Sequence, residues 1–145
     1  MTLKKATPNS KKDKEIPRGI RNNNPLNIRI GNVWLGEVQV NTDGEFEQFV
    51  NMRYGLRAAF VLLRRYICHY RLTTIAQIIS RWAPASENVT ENYIGHVAKM
   101  TSLATNQSLD YYDKVTMCKL VQAMAYYECG EIVSMSVIEA GYDMA

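Results

Sequence analysis

One glutamate, Glu128, occupies a position where a carboxylic acid would stay protonated near neutral pH. It extends the apolar stripe of a predicted helix, four residues after Met124 and seven after Val121. It also lies at the C-terminal end of that helix, where the helix dipole is negative. Apolar surroundings and a negative dipole both raise the pKa of a carboxyl group. Such a group suits the general acid of a glycosidase, and the alternative is a last-turn glutamate that extends into water.

A second carboxylate is needed in such a site as a general base or to stabilise positive charge. The candidates are Asp43, Glu45, Glu47 and Glu87. Asp43 precedes Gly44, so forming a turn is its alternative role. Glu87 lies between two predicted helices, where capping is the alternative. We take Asp43 and Glu87 as the candidate assisting carboxylates.

The run of asparagines at residues 22–27 is the main candidate for ligand binding. Side-chain amides donate and accept hydrogen bonds, which suits sugar hydroxyl and acetamido groups. We therefore expect Asn23, Asn24 and Asn27 to bind a glycan. The alternative is that the amides order a tight loop by bonding their own backbone.

The two tryptophans are candidates for stacking on the apolar face of a sugar. Trp82 continues the helical spacing of Ile75, Ile78 and Ile79, which favours a place in the core. We therefore assign glycan stacking to Trp34.

Four arginines form a stripe along the first long predicted helix. Arg53, Arg57, Arg64 and Arg71 are four, seven and seven residues apart. Such a stripe is typical of a solvated edge whose arginine stems cover the core. The functional interpretation is a basic wall in which Arg57 and Arg64 line a cleft that binds an anionic ligand.

Other catalytic chemistries have weak support in the sequence. His69 and His96 lack the spacing of a metal site, so neither a metal nor a cofactor is expected. No nucleophile-elbow or phosphate-loop motif occurs. A cysteine–histidine nucleophile is the remaining alternative, with Cys129 at a helix end the most exposed of three cysteines.

These residues are predicted to lie on a mainly α-helical (α+β) domain of about five helices. Helical periodicity starts near residue 53, and capping residues precede helices at about 75–82, 90–100, 113–128 and 134–140. Residues 17–49 are rich in turns, and we expect a small irregular β-hairpin region there, with a hairpin around Gly31-Asn32.

Composition and charge limit the class of protein. The chain has 145 residues, 47% of them hydrophobic and 21% charged, as in one soluble globular domain. Residues 1–16 are predicted to be a disordered basic tail and residues 17–145 a single domain. The net charge of +3 comes mainly from the first 21 residues, with seven Lys/Arg and two acids. Nucleic acid is therefore an unlikely partner, and neither a membrane span nor a conventional signal peptide is expected.

Several segments resemble a family of bacteriophage virion structural proteins found in phages, prophages and gut Bacteroidales genomes. The first is RGIRNNNPLNIR at 18–29, followed by WLG at 34–36, TD at 42–43 and FEQF at 46–49. The resemblance continues through YGLRA at 54–58, ISRWAP at 79–84, SENVT at 86–90 and ECG at 128–130. It covers roughly residues 17–131. Leu26 and Cys129 depart from it, because relatives often carry glycine and asparagine there.

The asparagine segment followed by Trp-x-Gly is also similar to the β-region of lysozyme-like muramidases and glucosaminidases. Those enzymes carry a catalytic glutamate at the end of a helix just before this region. Here the helix ending in Glu128 comes last, so the resemblance implies a permuted lysozyme-like cleft. We expect Glu128 to face Asn24 and Asn27 within about 12 Å, a gap that one sugar ring can bridge between hydrogen-bonding groups.

The leading hypothesis is a phage-derived peptidoglycan-degrading glycoside hydrolase or lytic transglycosylase. Glu128 would be the general acid, and Arg57 and Arg64 would contact the cleft or acidic stem peptides. Its partners would be peptidoglycan strands and other virion proteins. It would be made in the bacterial cytoplasm and be virion-associated or delivered to the cell wall. The alternative is a non-catalytic virion structural or glycan- or protein-binding module.

Overall fold

The computed structural model describes residues 16–84 and 87–145, with side chains in the second range from residue 89 onward. The predicted tail at 1–16 lies outside the described residues except for Ile16.

The described residues are mainly helical, as predicted. The helices are α1 Arg18–Arg21, α2 Met52–Arg64 with a π-helical continuation at Arg65–His69, α3 Ile75–Trp82, α4 Glu87–Thr101, α5 Lys114–Cys129 and α6 Met135–Met144.

Capping side chains begin three of the helices where the sequence places them. Asn51 accepts from the first backbone N–H groups of α2, and Thr74 forms a capping box with Gln77 at α3. Asp113 accepts from Thr116 at the start of α5. At the other end of α5, Gly130 adopts a left-handed conformation with φ 74°. The end of α5, and with it Glu128, is therefore fixed by local signals.

The core lies where α2, α3, α5 and α6 converge. Leu56, Phe60, Ile78, Leu120 and Met124 are fully buried there. Burial of such side chains stabilises the fold by roughly 1.5–3 kcal/mol each.

Helix α6 differs from the sequence prediction, which ended it at Gly141. The helix continues to Met144, and Gly141 lies within it against α2. A Cβ atom at Gly141 would lie 2.6 Å from the Cβ of Leu56. Glycine is therefore used here for close helix packing and not as a helix stop.

Residues 22–51, the polar loop segment, contain two isolated antiparallel bridges, Arg29 to Phe46 and Glu37 to Phe49. The predicted hairpin around Gly31-Asn32 is wrong, because residues 28–30 pair with 45–47 instead. After the predicted turn, Val33 and Leu35 are exposed, whereas Trp34 lies in the buried core. The backbone of residues 28–30 therefore finds its partners across the segment and not in the adjacent residues.

Buried asparagines order this segment together with four buried apolar side chains, those of Leu26, Ile28, Trp34 and Phe49. Asn24 is fully buried, and its side chain bonds both the N–H and the C=O of Ile28 and the C=O of Glu47. The segment lies so close to α2 that a Cβ at Gly55 would collide with the backbone carbonyl of Asn23. Asparagine bonds and this backbone contact therefore position the segment against the helices.

None of the helices in the described ranges combines the length and apolar character needed to cross a lipid bilayer.

Candidate functional site

A cleft of about 560 Å³ separates the polar loop segment from the helices. The polar loop segment forms one wall of the cleft. Helix α2, its π-helical continuation and α3 form the other wall. The end of α5 contributes Glu128. The lining residues are Asn27, Ile28, Arg29, Asn32, Phe46, Leu62, Tyr66, Trp82, Ala83, Pro84 and Glu128.

Glu128 is half-buried in this cleft, on the last turn of α5. The side-chain amide of Asn27 donates to its Oε1 atom over 3.1 Å. The Tyr93 hydroxyl, whose hydrogen bond goes to the backbone carbonyl of Met124 over 3.5 Å, lies close to the same carboxyl group. Burial raises the pKa of Glu128, and the bond from Asn27, the nearby Tyr93 hydroxyl and the charge of Arg29 oppose that rise. The group is therefore an acid with a raised pKa at the surface of an open cleft.

Asn27 is held in place by an unusual backbone conformation. Its φ is 53°, and its N–H donates to the carbonyl of Asn24 over 3.0 Å. Asparagine tolerates this left-handed region better than most residues. Its Nδ2 also lies 3.4 Å from the backbone carbonyl of Glu128, and its buried Oδ1 has no hydrogen-bond partner. Asn27 thus joins the polar loop segment to the end of α5, well within the expected distance.

Tyr93 was not singled out from the sequence as a site residue. It is 1% exposed, and its ring stacks on Tyr127 at a centroid distance of 4.1 Å. Its position on the buried face of α4 carries no signal that its hydroxyl reaches Glu128. Only the packing of α4 against α5 brings the two groups together.

Asn23 and Asn24 are used within the loop and not in the cleft. Asn24 is buried by the backbone contacts described above. Asn23 has φ 54° and donates to the carbonyl of Phe49 over 2.9 Å. Of the three predicted sugar ligands, the structure therefore places only Asn27 at the cleft.

Asp43 is held in a network of hydrogen bonds away from the cleft. Arg18 donates to both of its oxygens at 2.8 and 2.7 Å, and Asn22 donates at 3.0 Å. Backbone N–H groups of Glu45 and Phe46 complete the network. The Arg18 guanidinium, with help from these donors, holds the pKa of Asp43 well below its usual range. Its position supports the turn-forming alternative over a role as assisting carboxylate.

Glu87, the second predicted assisting carboxylate, is the first residue of α4, and its side chain lies outside the described part of the structure. Among the described residues that line the cleft, Glu128 is the only one with a carboxyl group.

The two tryptophans have exchanged their expected places. Trp34 belongs to the buried core, and its indole N–H has no hydrogen-bond partner. Trp82 lines the cleft, with its ring 5.8 Å from that of Tyr66 in an edge-on arrangement. Helical spacing correctly placed Trp82 on the face of α3 that packs against the core. It could not show that this end of the face borders the cleft.

Arg57 and Arg64 lie away from the cleft. Arg57 donates to the backbone carbonyl of Met144 over 3.1 Å, and the guanidinium of Arg64 lies 5.7 Å from the ring centre of Tyr111. They therefore connect α2 to the C-terminal part of the chain, and the predicted basic wall is not formed by them.

The cationic group at the cleft is instead Arg29. Its guanidinium lies 4.9 Å from the ring centre of Phe46 and forms an ion pair with Glu45 at 2.7 Å. Arg29 is part of the asparagine-rich motif, but its sequence neighbours gave no sign of this stacking.

No protein-family model matches the chain. Over 100 residues it is 47% identical to Protein P5 of Pseudoalteromonas phage PM2, a stretch that makes up 66% of this chain and 62% of that relative. The chain thus spans less than two thirds of the length of the curated relative it matches. Over this stretch, the chain is a homologue of a phage protein.

Proposed function

We propose that this protein is a phage glycosidase that cleaves the glycan strands of peptidoglycan, with Glu128 as the general acid. The observation that carries the proposal is Glu128 itself, a half-buried acid with a raised pKa at the surface of a cleft of about 560 Å³. A general acid must be protonated before it reacts and must reach the bond that breaks. The raised pKa of Glu128 favours its protonated form, and its place in the cleft lining supports contact with a bound chain.

The cleft walls suit a sugar chain. Trp82 and Tyr66 offer aromatic surface to the apolar faces of sugar rings, while Asn27 and Asn32 offer amide groups to hydroxyl and acetamido substituents. Arg29, whose side chain is 67% exposed, offers a cation to the carboxylates of muramic acid or of stem peptides. A cleft with aromatic, amide and cationic groups fits an acidic amino-sugar polymer.

Among the described lining residues, Glu128 alone has a carboxyl group, and this favours the transglycosylase form of the reaction. Glu128 would give its proton to the glycosidic oxygen as the C1–O bond breaks. The resulting carboxylate would then take the proton from the C6 hydroxyl of the same muramic acid, whose oxygen attacks C1 and closes a 1,6-anhydro ring. One group performs both steps, and no water is consumed.

Hydrolysis is the alternative form of the reaction, and it needs a base to activate water. Glu87 is the remaining sequence candidate for that base, since Asp43 is held by Arg18.

A non-catalytic virion structural or binding module is the rival function. The phage relative supports association with a virion and with other virion proteins under either function. The same cleft would then bind a glycan without cleaving it, and Glu128 would only accept hydrogen bonds.

The test is to incubate purified protein with peptidoglycan and to analyse the soluble products by liquid chromatography and mass spectrometry. Wild type should release fragments, and Glu128→Gln should not. Glu131→Gln is the matched control, because Glu131 is exposed just beyond the same helix. Products lighter by one water than the hydrolytic fragments would identify a transglycosylase. If wild type binds peptidoglycan and releases nothing, the binding module is the better description.

A further inference from the structure

Two acidic residues, Glu37 and Glu47, lie close together in the polar loop segment, outside the cleft. Glu47 is only 4% exposed, and Glu37 is half-buried beside it. The Glu47 carboxyl faces the side chain of Glu37 and the backbone N–H of Gly31. Its buried Oε2 atom has no hydrogen-bond donor. Two carboxyl groups therefore face each other with one oxygen left without a donor.

A depression of about 330 Å³ opens beside this pair. Its described lining residues include both glutamates and several amides but no lysine or arginine. They are Ile30, Gly31, Asn32, Val33, Glu37, Val38, Gln39, Asn41, Glu47 and Gln48. Two facing carboxylates without a cationic partner repel each other, so the arrangement requires either a proton or a metal ion.

The two carboxyl groups line the same depression, and the buried Oε2 atom of Glu47 has no donor there. A divalent cation bound between them would neutralise both groups and give this oxygen atom a partner.

We propose that Glu37 and Glu47 form a binding site for a hard divalent cation, with calcium as the preferred ion. The available ligands are oxygens, which calcium accepts in flexible geometry, whereas zinc favours histidine and cysteine. No cluster of three Asp, Glu, His or Cys side chains occurs in the described residues, so neutral oxygens must complete the coordination.

The amides around the depression fall into two groups. The Asn41 Oδ1 already accepts from the backbone of Asp43 and Gly44, and the Gln48 Oε1 accepts from the backbone of Thr42. Asn32 and Gln39 are exposed at the same depression, and their side chains are the ones available to complete the site.

The site would join two parts of the polar loop segment and reach the cleft wall indirectly. The backbone of Glu47 donates to the carbonyl of Ile28 over 2.9 Å, and its carbonyl accepts from Asn24 at 3.0 Å. Ile28 lies between two cleft residues, Asn27 and Arg29. A bound cation would therefore stabilise the wall that carries them, in a segment that has only isolated bridges.

The proposal is tested on the full chain, stripped of metal with a chelator and held at about pH 8, above the pKa of Glu47. Calcium chloride is titrated while heat release and thermal unfolding are measured. We expect saturable binding and a rise in Tm of about 9 °C at a ~100-fold excess over Kd. Magnesium should bind at least ~10-fold more weakly, because it needs a stricter octahedral geometry.

Glu37→Gln and Glu47→Gln should each weaken calcium binding by at least ~10-fold and lower the rise in Tm by about half or more. Glu91→Gln, which changes an exposed acid on α4, should leave both unchanged. Glu37→Gln is the safer variant because Glu37 is only half-buried. The proposal is overturned if calcium neither binds nor raises Tm in wild type, or if Glu37→Gln responds to calcium as wild type does. The pair would then be balanced by a proton alone.

Discussion

Glu47 is buried and Glu128 is half-buried, and the neighbours of the two carboxyl groups differ in kind. Glu128 receives a hydrogen bond from Asn27, whereas Glu47 faces another carboxyl group. Burial is the largest cause of the raised pKa in both cases. A donor neighbour opposes the rise in the pKa of Glu128, and an acceptor neighbour adds to the rise in the pKa of Glu47. Under the proposed function, this difference separates a reacting carboxyl group from a structural one.

The largest expected effect separates the two glutamates by activity. Glu128→Gln should lower peptidoglycan release by about 10²–10⁴-fold, because a general acid contributes that much. Glu47→Gln should keep most of the activity in the same assay, since Glu47 lies outside the cleft. Equal losses in both variants would contradict the division of roles.

The next effect compares two asparagines of the polar loop segment. Asn24→Ala should lower the free energy of unfolding by about 3 kcal/mol, because three buried hydrogen bonds at about 1 kcal/mol each are lost. Asn27→Gly keeps the left-handed backbone and should cost less stability but reduce cleavage. Urea unfolding and the release assay measure the two quantities. If Asn24→Ala lost less stability than Asn27→Gly, the assignment of a structural role to Asn24 and a cleft role to Asn27 would be wrong.

A smaller effect concerns pH. Because the pKa of Glu47 is raised to about 7 in the folded state, the folded protein binds this proton more tightly than the unfolded chain. That stability is fully present below the unfolded pKa, near 4.5, and is lost as the pH rises through about 7. Urea midpoints in chelator should therefore fall between about pH 5 and 8.

The matched variant for this effect is Glu47→Gln, which should show a flatter pH dependence. In this variant the urea midpoint should still fall somewhat as the pH rises, because the pKa of Glu128 is also raised. An unchanged slope in Glu47→Gln would show that the pair does not hold a shared proton.

The smallest effect tests Tyr93. The Tyr93 hydroxyl near Glu128 lowers the pKa of that carboxyl group, so Tyr93→Phe should raise the pKa further. The high-pH limb of the activity profile should then move upward by less than about one pH unit. Tyr127→Phe is a control that keeps the ring stacking. A downward shift in Tyr93→Phe would mean that the hydroxyl does not favour the ionised form.

The helices and the position of Glu128 could be predicted because their signals are local. Thr74 and Asp113 cap helices with side chains that act within three residues, and Glu128 follows a stripe set by α5 alone. The pairing in the polar loop segment could not be predicted in this way. It depends on Asn24 reaching Glu47, which has no periodic signature.

The cleft was predictable only in part, for the same reason. Glu128 and Asn27 were both identified, one from its helix and one from its motif. Trp82 and Arg29 became cleft residues only through the packing of separate elements, and the same packing buried Trp34. Residue type and spacing therefore identify groups with suitable chemistry, whereas the side of the molecule they face depends on tertiary contacts.

The bond between Asn27 and Glu128 joins positions 101 residues apart in the chain. During translation the amide is made long before the acid, so the two halves of the cleft can meet only after α5 has been made. The contact also closes a large loop, which carries an entropic cost. A chain interrupted before α5 would therefore keep the asparagine motif but lack the cleft.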